Sequence, residues 1–182
     1  MKKNIFGCFV DFSKAFDTIP REKLFQKLLN NNINGKFYDC LVNLYTEDKS
    51  CIKIGDSITN KISSNQGVKQ GCVLSPILFN IYLSDFQQVI EHQDCDPVNV
   101  NLDMTLGCLM WADDLLLLSK SELGLSNMLK ALKTYTEENG MILNIEKTKV
   151  MIFNRSGRHM RRIFFLENIE SRLQDDTNIW AF

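Results

Sequence analysis

The pattern of apolar and polar positions begins with a continuous apolar run and then changes to helical spacing. The run NIFGCFVDF (4–12) predicts a buried strand that ends near Asp11. PREKLFQKLLNN (20–31) repeats apolar residues every three or four positions behind a proline, which favours a first helical turn. Gly35 precedes a second helical pattern, KFYDCLVNLYTED (36–48). The first part of the chain is therefore predicted to be a strand followed by two helices.

The middle of the chain combines a hairpin, a helix and a loop. SCIKIGDSITNKISS (50–64) alternates on both sides of Gly55-Asp56, which predicts two strands and a tight turn. SPILFNIYLSDFQQVI (75–90) predicts one helix, because a serine and a proline stand at its start. DCDPVNVNLDM (94–104) is polar and predicts a loop.

The pattern of apolar residues in the last third of the chain predicts further strands and one helix. GCLMWADDLLLLS (107–119) predicts two short strands around a turn, both buried in a sheet. SELGLSNMLKALKTYTEENG (121–140) is an amphipathic helix closed by Gly140, and MILNIEKTKVMIFN (141–154) predicts two strands joined at Glu146-Lys147. The resulting order, β-αα-ββ-α-ββ-α-ββ, is typical of an α+β fold and not of a doubly wound parallel sheet.

Two further patterns leave a choice between binding and structure. A stripe of large apolar residues on the helix 121–140 favours core packing over a binding surface; it consists of Leu123, Leu125, Met128, Leu129, Leu132 and Tyr135. RHMRR (158–162) suits either the binding of nucleic-acid phosphate or a solvated turn.

The composition fits one globular domain. The chain has 182 residues, of which 45% are hydrophobic and 24% charged. It contains no apolar run long enough to span a bilayer, so a membrane partner is not expected. Asp11 interrupts the apolar N-terminal run and no cleavage site follows it, so a signal peptide is not expected either.

The cysteine spacing and the net charge restrict the kinds of metal site and nucleic-acid contact that the chain can form. The six cysteines contain no C-x-x-C pair, which indicates reduced thiols in an intracellular protein, nuclear or cytoplasmic. His92 and Cys95 stand three positions apart but lack the usual partners of a zinc site. The formal net charge is −1, so any nucleic-acid binding must depend on local basic patches.

Two adjacent carboxylates in an apolar run are the strongest chemical signal. Asp113 and Asp114 interrupt the run 107–119, and an unpaired buried charge costs several kcal/mol. If the strand ending at Asp11 is their neighbour in the sheet, the three carboxylates converge. Mg²⁺ would relieve their repulsion, and two such ions about 4 Å apart can clamp a phosphoryl transfer. The alternative is that both aspartates are ordinary turn residues.

Four segments in this order resemble the successive palm motifs of reverse transcriptases, particularly those of jockey-like and LINE-like non-LTR retrotransposons. They are FVDFSKAFDTIP (9–20), QGVKQGCVLSPILFNIYLSD (66–85), MWADDLLLLS (110–119) and LNIEKTKVMIF (143–153). The resemblance covers residues 4–155. It implies a polymerase palm, an antiparallel sheet with helices packed on one face, as a partial domain over 1–155.

The resemblance also implies a catalytic carboxylate triad. Asp11 matches the first metal-binding aspartate of the family, and Asp113 and Asp114 match its aspartate pair. The implied cofactor is a pair of Mg²⁺ ions, with Mn²⁺ as a substitute. Trp111 stands where the family usually has Tyr or Phe, a mild departure because a large aromatic residue is kept.

Further residues acquire expected roles from the same match. Phe16 matches the steric gate that excludes a ribose 2′-OH, although composition alone would place it in the core. Lys147 matches the lysine that protonates or neutralises the pyrophosphate leaving group, with Asn144 beside it. Asp17 is expected to be structural. The residues expected to touch nucleotide or template are Phe12, Phe16, Gln70, Gly71, Ser75 and Pro76.

The implied function is RNA-directed DNA polymerisation. Deoxynucleotides would be added to the 3′-OH of a DNA primer on an RNA template. A different interpretation is a catalytically inactive palm remnant of a decayed or incompletely annotated element. An RNA-templated RNA polymerase fits less well, because Phe16 would obstruct a ribonucleotide.

The family pattern extends beyond this chain at both ends, so fingers and thumb are expected to be largely absent. Residues 156–182 are expected to be a truncated extension toward a primer-grip hairpin. Read in another frame, degenerate codons for DTNIWAF (176–182) include Tyr-Lys-Tyr-Leu-Gly-Phe. This predicts a frameshift or misplaced exon edge between Glu170 and Asp176.

Overall fold

The computed structural model describes residues 4–46, 48–91 and 93–153. Its strands and helices follow in the chain order β1 (Ile5–Val10), α1 (Ala15–Thr18), α2 (Arg21–Asn30), α3 (Gly35–Thr46), β2 (Lys49–Ser50), β3 (Lys53–Ile54), β4 (Ser57–Ile58), β5 (Ile62–Ser63), α4 (Ser75–Leu83), α5 (Phe86–Glu91), β6 (Val98–Asn99), β7 (Thr105–Leu106), β8 (Cys108–Trp111), β9 (Asp114–Ser119), α6 (Glu122–Glu138) and β10 (Lys149–Phe153). The predictions for 156–182 and for the basic segment 158–162 lie outside the described residues.

Four strands form the central antiparallel sheet, in the order β10-β1-β9-β8. β1 lies inside this sheet, where Cys8 is opposite both Leu117 and Val150. All three side chains are buried, so alternate positions of these strands face the core. The mixed architecture confirms the predicted α+β class.

Helices cover one face of the sheet. α6 packs on β1 and β9, and α4 contacts β8. The other face carries exposed apolar side chains, among them Leu109 (50% exposed) and Trp111 (75% exposed). Helices on one face of an antiparallel sheet were predicted. The prediction that both strands of 107–119 are buried was wrong for this outer face, because no described element covers these residues.

α6 was predicted well in its ends and in most of its buried stripe. The Ser121 hydroxyl caps its first turn by accepting from the Gly124 N–H (3.1 Å), and Gly140 follows its end with a φ of +66°. Leu123 is 65% exposed, so its assignment to the core was wrong. It stands two positions before Leu125, which places it on the opposite side of a helix with 3.6 residues per turn.

The segment 75–90 forms two helices instead of the single predicted one. α4 ends where Ser84 N–H bonds to Ile81 O, three residues back, and the Ser84 hydroxyl donates to the same oxygen (2.8 Å). The carbonyl of Asp85 then accepts from Gln88 and Val89 to start α5. Competition by a serine side chain for helical carbonyls is a local cause of such a break.

Two further predictions were wrong: the loop at 94–104 and the first of the two strands in 141–154. The segment 94–104 contains half of a small hairpin, because Val98 pairs with Leu106 across a polar turn. In 141–154 only the second strand, β10, forms. Leu143 makes a single bridge to Phe12, and the chain then turns instead of extending.

The remaining elements agree with the sequence predictions. α2 and α3 lie where the helical spacing indicated, and Pro20 occupies the N-cap position of α2, directly before its first turn. The hairpin about Gly55 forms as two short ladders, β3 with β4 and β2 with β5. Among the described residues, no helix is long and apolar enough to cross a membrane.

Candidate active site

The predicted carboxylates lie at one end of the central sheet. Val10 is opposite Leu115 in the last pair of the β1–β9 ladder, and both are buried. The next positions outward are Asp11 and Asp114, and alternation along a strand places them on the face away from the core. Asp113 belongs to the two-residue turn between Trp111 and Asp114. The fold thus brings Asp11 to the same end of the sheet as two acids that follow it by more than a hundred positions in sequence.

A cavity of about 580 Å³ opens beside this edge. Every predicted site residue except Asp114 lines it. The lining residues are Asp11, Phe12, Lys14, Ala15, Phe16, Gln70, Gly71, Cys72, Val73, Ser75, Pro76, Asp113 and Lys147. Four separate sequence segments therefore supply one cavity, and Lys14 and Lys147 bring positive charge to the wall that holds the acids.

The backbone of Asp11 is tied to the turn that carries Lys147. Asp11 N–H donates to the Thr148 hydroxyl (3.2 Å), and Asp11 C=O accepts from Asn144 N–H (2.8 Å). Asn144 Oδ1 in turn accepts from the backbone N–H of Lys147 (3.3 Å). Asn144 therefore orders the turn that carries Lys147. Thr148 was missed, since a threonine before a strand gives no signal in the sequence.

Phenylalanine rings form the inner wall of the cavity. Phe79 on α4 is fully buried. The Phe12 ring packs edge-on against it with centroids 6.2 Å apart, and the Phe16 ring is tilted on it at 5.2 Å. Phe12 is buried and Phe16 is half-buried. Phe16 thus packs on the core with one part of its ring while it lines the cavity.

The loop before α4 is fastened to the segment that follows β1. Val68 N–H donates to Phe16 O (2.7 Å), and Gln70 Nε2 donates to Asp17 Oδ1 (2.9 Å). Gly67 has a φ of +78°, and a Cβ there would lie 2.8 Å from the carbonyl oxygens of Phe16 and Asp17. Only glycine allows this approach. The bond to Gln70 gives Asp17 the structural role that was expected.

Gly71 and Ser75 shape the opposite side of the cavity. Gly71 also has a φ of +78°, but a Cβ there would meet no atom within 4 Å, so the wall is open at this point. The Ser75 hydroxyl is buried and donates to the carbonyl of Lys69. Its side chain therefore orders the loop, and the start of α4 faces the cavity through Pro76.

Arg21 is a buried cation that the sequence predictions missed. Its guanidinium donates to Gly67 O (2.9 Å) and Tyr45 O (2.6 Å), and it pairs with Asp48 (3.0 Å). It also lies over the Tyr45 ring. Arginine at the start of a helix is common on surfaces, so spacing alone did not indicate that this one fixes the loop before Gln70.

A second, partly buried cation joins the helices behind the cavity. Lys27 Nζ donates to Asp85 Oδ1 (2.8 Å), Tyr82 O (2.7 Å) and Tyr135 OH (2.7 Å). Burial lowers the pKa of Lys27, and the hydrogen bond and charge of Asp85 oppose that shift. Burial, aided by Asp85, raises the pKa of Tyr135. This cluster connects α2, the α4–α5 junction and α6, so α4 is held at its C-terminal end.

The donor set suits a hard divalent cation that also binds substrate. The described residues contain no three His, Cys, Asp or Glu side chains close enough to enclose a metal ion. Asp11 and Asp113 nevertheless share the cavity wall. Mg²⁺ is commonly held by one or two carboxylates together with substrate phosphates and water. Asp11 and Asp113 therefore fit a site whose remaining ligands come from a phosphate-bearing substrate and water.

Solved structures define the class of this fold. The apo telomerase of Candida tropicalis lacking its C-terminal domain superposes with a TM-score of 0.63 at 15% identity, over 90% of this chain and 33% of that one. The telomerase of Candida albicans with a fragment of telomeric RNA gives a TM-score of 0.58 at 16% identity, over 89% and 28%. The chain therefore shares the fold of the part of each telomerase that it matches.

Sequence relatives identify the family. The family profile described as "Reverse transcriptase (RNA-dependent DNA polymerase)" matches residues 1–170. The chain belongs to the reverse transcriptase family, which confirms the resemblance of its motifs.

Among curated relatives are Pol polyproteins of R2 retrotransposable elements. That of Popillia japonica is 35% identical over 158 residues, 84% of this chain and 25% of the relative. That of Nasonia vitripennis is 24% identical over 162 residues, 87% of this chain and 15% of the relative. The chain thus spans a quarter or less of the length of these relatives.

Proposed function

We propose that this chain is the palm of an RNA-directed DNA polymerase from a non-LTR retrotransposon, and that the cavity is its nucleotidyl-transfer centre. The observation that carries the proposal is the meeting of Asp11, Asp113 and Lys147 in one cavity. The R2 relatives support the element type. The proposed domain spans 1–155, and its proposed setting is the nucleus or cytoplasm, where RNA template, DNA primer and deoxynucleotides occur.

The proposed chemistry is phosphoryl transfer to a primer. The primer 3′-hydroxyl transfers its proton to water and its oxygen attacks the α-phosphorus of a deoxynucleoside triphosphate, while the bond from that phosphorus to the bridging oxygen breaks to release pyrophosphate. Asp11, Asp113 and Asp114 would hold two Mg²⁺ ions, which Mn²⁺ can replace. Bound Mg²⁺ stabilises the charge that develops on the attacking and leaving oxygens.

The other cavity residues have roles that their positions support. Lys147 neutralises or protonates the leaving pyrophosphate from the wall beside Asp11. Phe16 blocks the ribose 2′-OH. The remaining nucleotide- and template-binding residues follow the loop and the start of α4, whose dipole favours phosphate; they are Phe12, Gln70, Gly71, Ser75 and Pro76.

Primer extension tests this proposal. A DNA primer annealed to RNA is incubated with deoxynucleotides, Mg²⁺ and a large excess of the chain, so that weak primer binding does not limit the reaction. We expect little extension by the parent, an equal amount by Asp103→Asn, an exposed acid in another turn, and at least a hundredfold less in Asp113→Asn. Extension that Asp113→Asn leaves intact would refute the site. No extension by the parent would favour the inactive-remnant interpretation.

A further inference from the structure

The turn that carries Asp113 contains a backbone conformation that its residue does not favour. Ala112 has a φ of +51°, in the left-handed region where a Cβ is crowded. The residue stands directly before the two acids of the site. A residue with such a φ persists only when its surroundings hold it there.

The contact that holds Ala112 comes from a helix and not from its own hairpin. The β8–β9 ladder closes at the Trp111–Asp114 pair, so the N–H of Ala112 lies beyond the last paired residues. This N–H donates to Asn80 Oδ1 at 2.8 Å. The donor is a backbone N–H, so the acceptor must be the amide oxygen of Asn80, and the orientation of the side chain is fixed by chemistry.

Asn80 belongs to the helix that shapes the rest of the cavity. One position earlier, Phe79 supports the rings of Phe12 and Phe16. Earlier in the same helix, Ser75 holds the loop that ends at Gln70 and Gly71. The contact from Asn80 to Ala112 therefore fixes the aspartate turn relative to the nucleotide side of the cavity. Asn80 interrupts the largely apolar run SPILFNIYL (75–83).

The chemistry of the amide suits this place. An apolar side chain would leave the part-buried Ala112 N–H without its protein partner, and a donor that is shielded from water is costly to leave unpaired. A carboxylate could accept the same bond but would add a negative charge beside Asp113 and Asp114. A neutral acceptor holds the turn without opposing the charge of its acids.

We infer that Asn80 is a positioning residue of the nucleotidyl-transfer centre: through the Ala112 N–H it holds the turn that presents Asp113 and Asp114 to a divalent cation. This inference rests on the proposed function for the role of the acids, but the contact itself can be tested without polymerisation. Outer partners that orient metal ligands typically contribute ten- to a hundredfold to metal affinity.

The test compares two changes at Asn80 with a matched change elsewhere. Asn80→Leu removes the acceptor, Asn80→Asp keeps it, and Asn127→Leu removes an amide that bonds Asp94 O from α6 (2.9 Å). Two quantities are measured in the full chain: hydrogen exchange of the Ala112 N–H, and the affinity for Mn²⁺ from quenching of Trp111 fluorescence. The second tryptophan is removed by Trp180→Phe in every variant.

In Asn80→Leu, we expect exchange of the Ala112 N–H at least tenfold faster and Mn²⁺ affinity at least tenfold weaker. Asn80→Asp should keep the slow exchange and should bind Mn²⁺ no more weakly than the parent, and Asn127→Leu should match the parent in both. Equal Mn²⁺ affinity in Asn80→Leu and Asn127→Leu would overturn the inference. So would an aspartate variant that binds as weakly as the leucine variant.

Two further controls distinguish a loss of the Asn80 contact from a loss of folding and from a lack of polymerase activity. Asn80→Ala is a second acceptor-free variant, and failure of both acceptor-free variants to fold while Asn127→Leu folds would make the residue structural and overturn the positioning role. Primer extension then divides the two proposals. Extension that is equal in Asn80→Leu and Asn127→Leu refutes this inference alone. An Asn80-dependent Mn²⁺ site in a chain that extends no primer refutes the proposed function alone.

Discussion

Individual side chains in this site serve the core and the cavity together. Phe16 is tilted on the buried Phe79 ring and also lines the cavity beside Asp11. The two interpretations that the sequence left open for it, core residue and steric gate, are compatible in this position. Asp114 shows the limit of residue matching: it has the expected place on the sheet edge but does not line the cavity.

Phe16→Ala separates these two roles. It should raise the use of ribonucleotides relative to deoxynucleotides by about tenfold or more, because a pocket wall that excludes a hydroxyl is removed. The lost stacking should lower stability by about 1 to 3 kcal/mol. Single-nucleotide incorporation measures the ratio. Phe25→Ala is the control, since Phe25 packs on Tyr38 away from the cavity. An unchanged nucleotide ratio would remove Phe16 from the gate.

The buried thiol of Cys8 should make the free energy of unfolding depend on pH. Burial raises the pKa of this thiol to about 12. An unfolded thiol titrates near 8.5, so between these values the folded state keeps a proton that the unfolded state loses. The free energy of unfolding therefore falls as pH rises from about 9 to 12, by about 1.4 kcal/mol per pH unit for this group.

Cys8→Ala should make that decline shallower in urea unfolding measured across the same pH range. Other buried groups with raised pKa values, such as Cys108, keep part of the slope in all variants. Cys51→Ala, which removes an exposed thiol, is the matched control. A slope in Cys8→Ala as steep as in the parent would show that the thiol at the centre of the sheet does not titrate as its burial implies.

At the scale of elements, the sequence predicted what depends on local pattern. The strand ending near Asp11 and the ends of α6 follow from apolar runs and caps. The break of 75–90 into α4 and α5 was missed because the Ser84 hydroxyl, its local cause, acts together with a contact that local pattern does not show: Lys27 from another helix binds Tyr82 O and Asp85 at the junction. The strand expected before Glu146 is replaced by a turn that bonds to Asp11. In each case a contact distant in sequence overrides a local preference.

The same limit applies to Arg21, the buried cation that fixes the loop before Gln70. Arg21→Leu should lower stability by about 3 kcal/mol, because Asp48 and the carbonyls of Gly67 and Tyr45 lose their shared donor. Arg21→Lys keeps the charge but not the planar fork, so an intermediate loss is expected. Chemical denaturation measures both. Arg21→Leu and Arg21→Lys of equal stability would contradict a role for the fork geometry.

At the scale of the whole molecule, several sequence segments that pack on the same hydrophobic core together form the cavity. The helices cover a single face of the sheet, and the sheet edge next to the cavity collects acids from β1 and from the β8–β9 hairpin. With a net charge of −1, the chain offers nucleic acid only local positive groups, and Lys14 and Lys147 are at the cavity itself. The fold, the order of the motifs and the family all indicate a reverse transcriptase. The proposed chemistry further requires that the acids at the sheet edge bind a divalent cation together.

A Mg²⁺ titration of the melting temperature tests that joint action most directly. A cation that binds only the folded chain stabilises it by about 1.4 kcal/mol at a tenfold excess over its Kd, which is roughly 3 to 6 °C for a chain of this size. We predict this rise for the parent and for Asp103→Asn, and a rise of less than half that size in Asp11→Asn and in Asp113→Asn. Equal rises in all four proteins would contradict a shared metal centre at the sheet edge.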